Sequence, residues 1–309
     1  MKTPRHFLRF NDLSRSEAQA ILRRAETLKA EQRAGVRHPT LAGKTLGMVF
    51  EKSSTRTRVS FEAGIFQLGG TGLFLSPRDT QLGRGEPVEH TARVFSEMID
   101  LVMIRAYDHA MVQRFAEHSS IPVINALTDD HHPCQILADI QCFQAHVGPI
   151  EGKTIAWIGD GNNMAASWMD AARVMGFSLV LSGPEGYDPA PDLLAEYADC
   201  VRIERDPMVA VQGAHCVTTD VWASMGQEEE QAIREKAFAE YQVHEALLDA
   251  AHPDVIFMHC LPAHRGEEVN DTVLDDPRSK VFDEAGNRLH AQKALMEFLV
   301  LGENFPETV

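Results

Sequence analysis

The sequence contains no Cys-x-x-Cys pair, no low-complexity tract, no internal repeat and no apolar run long enough to cross a bilayer. The last absence excludes a helical membrane span. Its five cysteines, Cys134, Cys142, Cys200, Cys216 and Cys260, are odd in number and spaced unlike any zinc framework. No metal site is therefore expected, and free thiols in a reducing cytoplasm are. The opening Met1-Lys2-Thr3-Pro4-Arg5-His6 lacks the apolar segment of a secretory signal, which agrees with a cytoplasmic location. Basic charge is also scarce. Lys and Arg number 29 against 45 Asp and Glu, a net charge of −16. That balance disfavours a nucleic-acid partner, leaves the basic clusters as local sites and serves solubility.

At 309 residues, 44% hydrophobic and 24% charged, the chain suits a soluble protein of two domains. Ser14-Arg15-Ser16-Glu17 reads as a capping box, followed by Ala18, Ile21, Leu22, Ala25 and Leu28 at helical spacing. Thereafter short apolar runs alternate with helical stretches. Strands are expected at Leu46–Phe50, Leu101–Ile104, Pro122–Asn125, Thr154–Ile158, Leu179–Leu181, Cys216–Thr218 and Val255–His259. The alternation predicts an α/β protein of two doubly wound parallel-sheet domains. The breaker cluster Val147–Gly152 suggests domains over 1–147 and 148–290, with a C-terminal helix at about 291–309 packing back on the first.

The polar signals fall just past expected strands, where open α/β sheets bind ligands. Ser54-Thr55-Arg56-Thr57-Arg58 opens a helix directly after a strand. Unpaired N–H groups, the positive end of the macrodipole, three hydroxyls and two forked guanidiniums at one turn make a phosphate site. A capped helix with solvated arginines is the alternative. In His131-His132-Pro133-Cys134-Gln135, Pro133 suits a first helical turn, so His132 stands at the helix entrance as a donor and Gln135 one turn inside. A capping histidine is the competing reading.

Gly159-Asp160-Gly161-Asn162-Asn163 invites a dinucleotide reading, but Met164 fills the third glycine position and no acidic residue ends the next strand. Adjacent asparagines read better as donors to a small carboxylate. Asp220, past another strand, suits an ammonium group or a helix cap, and Glu228-Glu229-Glu230 a solvated helix start. Cys260 is read as a buried structural thiol, and a metal pair with His259 is disfavoured because adjacent strand side chains point to opposite faces. Asn287-Arg288 lies before the last helical run, Ala291–Leu301, and by itself reads as surface.

Taken together, Ser54–Arg58, His132-Pro133-Cys134-Gln135 and His259-Cys260-Leu261-Pro262 resemble the aspartate/ornithine transcarbamoylase family, in its order and over nearly the whole chain. Asp220 with Ser224-Met225-Gly226 is similar to the family's ornithine branch. The resemblance implies an active site in the cleft between two domains and transfer of a carbamoyl group from carbamoyl phosphate to the δ-amine of L-ornithine, without a cofactor. It implies a carbamoyl-phosphate site of Ser54, Thr55, Arg56, Thr57, Arg105, His132, Gln135, Cys260, Leu261 and Arg288, and an ornithine site of Asn163, Asp220, Ser224 and Met225. Thr57, Arg105, His132 and Cys260 would be catalytic. It further implies a homotrimer with shared active sites, Gln81 being lent by a neighbour. Another amine acceptor (a modified ornithine, putrescine or aspartate), a nicotinamide-dependent dehydrogenase and a non-enzymatic anion-binding protein are the competing readings.

Overall fold

The computed structural model describes residues 4–76, 85–223 and 230–306. Its contacts divide the chain into two compact units, Met1–Gln141 with Gly286–Val309, and Cys142–Ala285. Each unit is built on one parallel sheet, as the alternation of strands and helices predicts.

The first sheet contains β1 (Thr45–Phe50), β2 (Thr71–Leu75), β3 (Leu101–Arg105) and β4 (Val123–Leu127), in the order β2-β1-β3-β4. The chain winds one way from β1 to β2 and the other way to β3 and β4, so the order reverses between β1 and β3. At such a reversal the connections leave on opposite faces and open a crevice at the strands' carboxyl ends. β3 and β4 shift register between Ile104 and Arg105. A shift of this kind re-aims the side chain beside it, and the side chain here is Arg105. The core under the sheet includes Val49, Val102, Ile104, Val112, Phe115 and Val123.

β2 was not expected from the sequence. It is an edge strand of partly exposed residues following two glycines, so it shows no clear buried run. The helix Arg15–Arg33 bears out the capping box: Ser14 N–H donates to Glu17 Oε2 at 2.9 Å and Glu17 N–H to Ser14 Oγ at 3.3 Å. Its stripe Ala18, Ile21, Leu22, Ala25 and Leu28 is buried.

The C-terminal helix differs most from expectation. It spans Val281–Leu301, so Asn287 and Arg288 lie inside it. Glu284, Asn287, Arg288, Gln292, Lys293 and Glu297 are all buried. Inward polar residues hide the apolar period by which a helix start is read. Their burial is balanced by partners. Arg24 donates to both carboxylate oxygens of Glu297, at 2.6 and 2.9 Å, and Lys293 donates to Gln67 Oε1 at 2.9 Å.

The second sheet contains β5 (Thr154–Ile158), β6 (Ser178–Ser182), β7 (Val201–Ile203), β8 (Cys216–Thr219) and β9 (Ile256–His259), ordered β7-β6-β5-β8-β9. Its reversal falls between β5 and β8. β7, also not expected, is an edge strand of three residues. Ala156, Ile158, Val180, Val217, Leu247, Val255 and Phe257 belong to the core of this unit.

Candidate active site

In the first unit the predicted residues gather at the reversal between β1 and β3. Ser54 is the N-cap of the helix Thr55–Gln67, its Oγ accepting from the Thr57 N–H at 3.3 Å. The Ser54 hydroxyl also donates to Thr57 Oγ1 at 3.1 Å, and Arg288 Nη2 donates to the same oxygen at 3.4 Å. With two donors pointed at it, the Thr57 hydroxyl turns its own hydrogen toward a third group. Arg58, counted among the anion donors, points elsewhere. It is exposed, pairs with Glu62 at 3.2 Å and stacks 3.9 Å over Phe74.

Arg288 is buried, contrary to its reading as surface. Its Nη1 donates to Gln135 Oε1 at 2.6 Å, while Gln135 Nε2 donates to Asp139 at 2.7 Å. Gln292, in the amide orientation that satisfies its neighbours, accepts from Arg288 at 2.9 and 3.1 Å and donates to Ser60 Oγ at 2.6 Å. One guanidinium thus fixes Thr57 and Gln135 together.

His132 is buried beside Arg288, Arg105 and Arg56. Burial, then the three cations in that order, hold its imidazole well below the usual histidine range. The ring is neutral at physiological pH, with one N–H to donate. The loop that delivers it is braced from behind. Thr128 N–H donates to the His131 carbonyl at 2.8 Å, His131 N–H to Thr128 Oγ1 at 3.2 Å, and Asn125 Nδ2 to that carbonyl at 3.3 Å. Burial likewise pushes His131 down to about 3 and the Cys134 thiol up to about 12, so Cys134 serves as a donor to the Asn125 carbonyl at 3.3 Å. Lys52, buried, pairs with Asp129 and lies 4.1 Å over the Tyr107 ring. It ties the turn after β1 to the loop after β4. Its partner is far along the chain, so no local signal marks it.

In the second unit the reversal between β5 and β8 places Asn162 against Asp220. Asn162 is the N-cap of the helix Asn163–Met175, its Oδ1 accepting from Met164 and Ala165 N–H at 2.9 and 3.2 Å. Its Nδ2 donates to Asp220 Oδ2 at 3.1 Å. Of the adjacent asparagines, Asn162 is therefore committed, and Asn163 stands at the helix start. Asp220 Oδ1 accepts from Val221 N–H at 2.8 Å and from Cys260 Sγ at 3.1 Å. Three donors thus fix the orientation of the Asp220 carboxylate.

Gly161 does not serve a dinucleotide. A Cβ there would lie 2.2 Å from Pro189 N, so the glycine admits a crossing chain. Arg234, another residue without a sequence signal, donates to Asp160 Oδ2 at 2.8 Å, to the Trp222 carbonyl at 3.0 Å and to Glu230 at 3.1 Å.

The expectation that His259 and Cys260 point to opposite faces needs correction. Cys260 lies past the end of β9, where strand alternation no longer applies, and donor atoms of Asp220, His259 and Cys260 come within 4.8 Å of one another. The His259 ring is nonetheless committed: Nδ1 accepts from Leu261 N–H at 2.9 Å and Nε2 faces Glu268 Oε1 at 3.1 Å. It offers no lone pair to a metal. Gln81 and Ser224-Met225-Gly226 lie outside the described residues.

The comparisons agree with this geometry. The domain described as "Aspartate/ornithine carbamoyltransferase, carbamoyl-P binding domain" matches residues 5–145, and the one described as "Aspartate/ornithine carbamoyltransferase, Asp/Orn binding domain" matches 151–299. The chain belongs to the aspartate/ornithine carbamoyltransferase family. Over 300 residues, 97% of this chain and 98% of the other, it is 62% identical to the ornithine carbamoyltransferase of Acinetobacter baylyi. It is 59% identical to the anabolic ornithine carbamoyltransferase of Pseudomonas aeruginosa over 296 residues, 96% and 97% of the two chains. Among solved structures, the ornithine carbamoyltransferase from Burkholderia thailandensis superposes with a TM-score of 0.90 at 53% identity, covering 96% of this chain and 99% of that one. The enzyme from Pyrococcus furiosus gives 0.92 at 46%, covering 97% and 98%.

The double duty of Asn162 separates in mutants. Asn162→Ala loses the cap and is expected to cost about 1 kcal/mol, whereas Asn162→Ser keeps a capping hydroxyl and should cost under about half of that. Urea unfolding measures both; equal losses would show that the cap is not what stabilises.

Proposed function

We infer that this chain transfers the carbamoyl group of carbamoyl phosphate to the δ-amine of L-ornithine, giving L-citrulline and phosphate. The observation that carries this reading is the buried Arg288 guanidinium that joins the Thr57 hydroxyl, at a capped helix start, to Gln135; Arg288, Arg105 and Arg56 also lower the pKa of the buried His132.

Three cations beside a helix start suit a compact dianion. Ser54, Thr55 and Arg56 hold the phosphate and help it leave. Attack on the carbonyl carbon places negative charge on its oxygen. Thr57, Arg105 and the neutral N–H of His132 stabilise that charge as donors already in place. The Gln135 side-chain oxygen, placed by Arg288, orients the carbamoyl N–H₂ together with the Leu261 carbonyl. Arg288 binds at the same place and positions Thr57 and Gln135.

Asp220 pairs with the α-ammonium of ornithine, while Asn163 and the Met225 backbone take its carboxylate. Ser224 is assigned to the same ornithine site. Cys260, whose thiol donates to Asp220, adjoins the δ-amine. That amine must be neutral to attack, against an ordinary pKa of about 10.4. The guanidiniums of the phosphate site favour its uncharged form.

We further propose that the chain assembles as a homotrimer in which a neighbour lends Gln81 to the carbamoyl-phosphate site. Support comes from apolar side chains left exposed on the first unit: Val59 and Phe66 on one helix, Leu73 on edge strand β2, and Val94 and Met98 on the helix Val88–Met98, with Phe66 78% and Met98 75% exposed. Large apolar side chains left exposed are the kind of surface that association covers. None of the five cysteines forms a disulfide, which supports a reducing cytoplasmic setting, and no helix among the described residues is long and apolar enough to cross a membrane.

Purified protein given carbamoyl phosphate should form citrulline with L-ornithine and no carbamoylated product with aspartate or putrescine; the reverse preference would overturn the assignment. Arg56→Ala should weaken carbamoyl-phosphate binding by roughly 10- to 100-fold in calorimetry, as loss of a charge-assisted contact requires. Light scattering should give the mass of three chains.

A further inference from the structure

The turn that follows β9 carries Cys260 and Leu261, and its backbone is unusual. Leu261 has φ 58°, a left-handed conformation that a leucine avoids when free to choose. Something must hold it there, and the contacts identify what does. The Leu261 N–H donates to His259 Nδ1 at 2.9 Å. That nitrogen therefore carries a lone pair, and the ring's hydrogen is on Nε2, which lies 3.1 Å from Glu268 Oε1. The same carboxylate oxygen accepts the His264 N–H at 2.6 Å, and the His259 N–H donates to Glu284 Oε2 at 2.8 Å. His259 and Glu268 are 0% exposed and Glu284 1%, so water does not substitute for any of these contacts.

We propose that His259 and Glu268 are positioning residues of the carbamoyl transfer: Glu268 fixes the His259 tautomer, and the bare His259 Nδ1 holds Leu261 so that its carbonyl and the Cys260 thiol face the reacting groups. The proposal rests on the function inferred above. Both side chains act through contacts within the chain. The brace works in one hydrogen arrangement only. A second hydrogen on the ring would set N–H against the Leu261 N–H, and an empty 268 position would leave the tautomer unspecified. The thiol end has a second hold in its bond to Asp220 at 3.1 Å. Releasing Leu261 therefore changes the aim of its carbonyl first.

Substitutions at 259 separate the two halves of the brace. In His259→Asn the side-chain oxygen can accept the N–H two residues on, as in an Asx turn. His259→Gln reaches Glu268 but not the Leu261 N–H. His259→Asn should keep kcat within about tenfold of wild type, while His259→Gln and Glu268→Ala lose about 100-fold, the usual effect of a catalytic group displaced by an ångström. Glu268→Gln, which retains an acceptor oxygen of the same shape, should recover most of the Glu268→Ala loss.

Inorganic phosphate, a probe of the site inferred on the first unit, should bind all four variants within about threefold of wild type by calorimetry. The rate of Cys260 alkylation by iodoacetamide, read by mass spectrometry, should change in His259→Gln and not in His259→Asn. Equal kcat in His259→Asn and His259→Gln, or full activity in Glu268→Ala, would overturn the proposal. If the wild-type chain forms no citrulline, it is the inferred function that fails; if the wild type forms citrulline and the four variants do so at its rate, only the brace fails.

Discussion

Like charges repel, and the first unit sets three guanidiniums around a single buried imidazole. A fold gathers such a cluster only by holding each member through bonds of its own, and that constraint organises much of what surrounds it. Arg105 is placed at the end of β3, where the ladder with β4 shifts register. Arg288 projects from a helix whose inward face is polar over several turns and anchored to Arg24, Gln67 and other partners. Arg56 rides on the first turn of a capped helix. The neutrality of His132 follows from this arrangement, and with it the capacity to donate to an oxygen gaining charge without presenting a fourth cation.

The second unit meets the opposite problem. It must aim one carboxylate, and it does so with donors: the Asn162 amide, the Val221 N–H and the Cys260 thiol on Asp220. Both units solve their problem at the same topological place, the point where strand order reverses. Chemistry on this fold depends on few residues because the backbone has already brought loop ends together there.

What was legible in the sequence was what is local. Leu46–Phe50 followed by Ser54–Arg58 is a strand, a cap and a helix start within fourteen residues, and the structure has all three. The parallel architecture was readable from alternation. Less legible were edge strands β2 and β7, which lack a buried apolar run, and the true start of the last helix, whose inward residues are polar. Arg58 shows the limit of motif reading. Ser54 and Thr57 meet at the helix start, but helical rotation carries Arg58 to Glu62 and Phe74. Lys52, Asn125, Thr128, Arg234 and Glu268 act through partners distant in sequence or through backbone groups, and no spacing announces them.

The central claim is that burial and the three cations keep His132 neutral. A histidine whose folded pKa is depressed binds fewer protons than its unfolded counterpart near pH 6.5, so its contribution to stability is present above that value and lost as the pH falls. Long-range nitrogen–proton NMR of the imidazole, recorded on the intact protein between about pH 5 and 8, measures its state directly. The account predicts a neutral His132 ring, one nitrogen protonated and one bare, with shifts that do not move across this range. A ring that titrates near the ordinary histidine value of about 6.5 would contradict it.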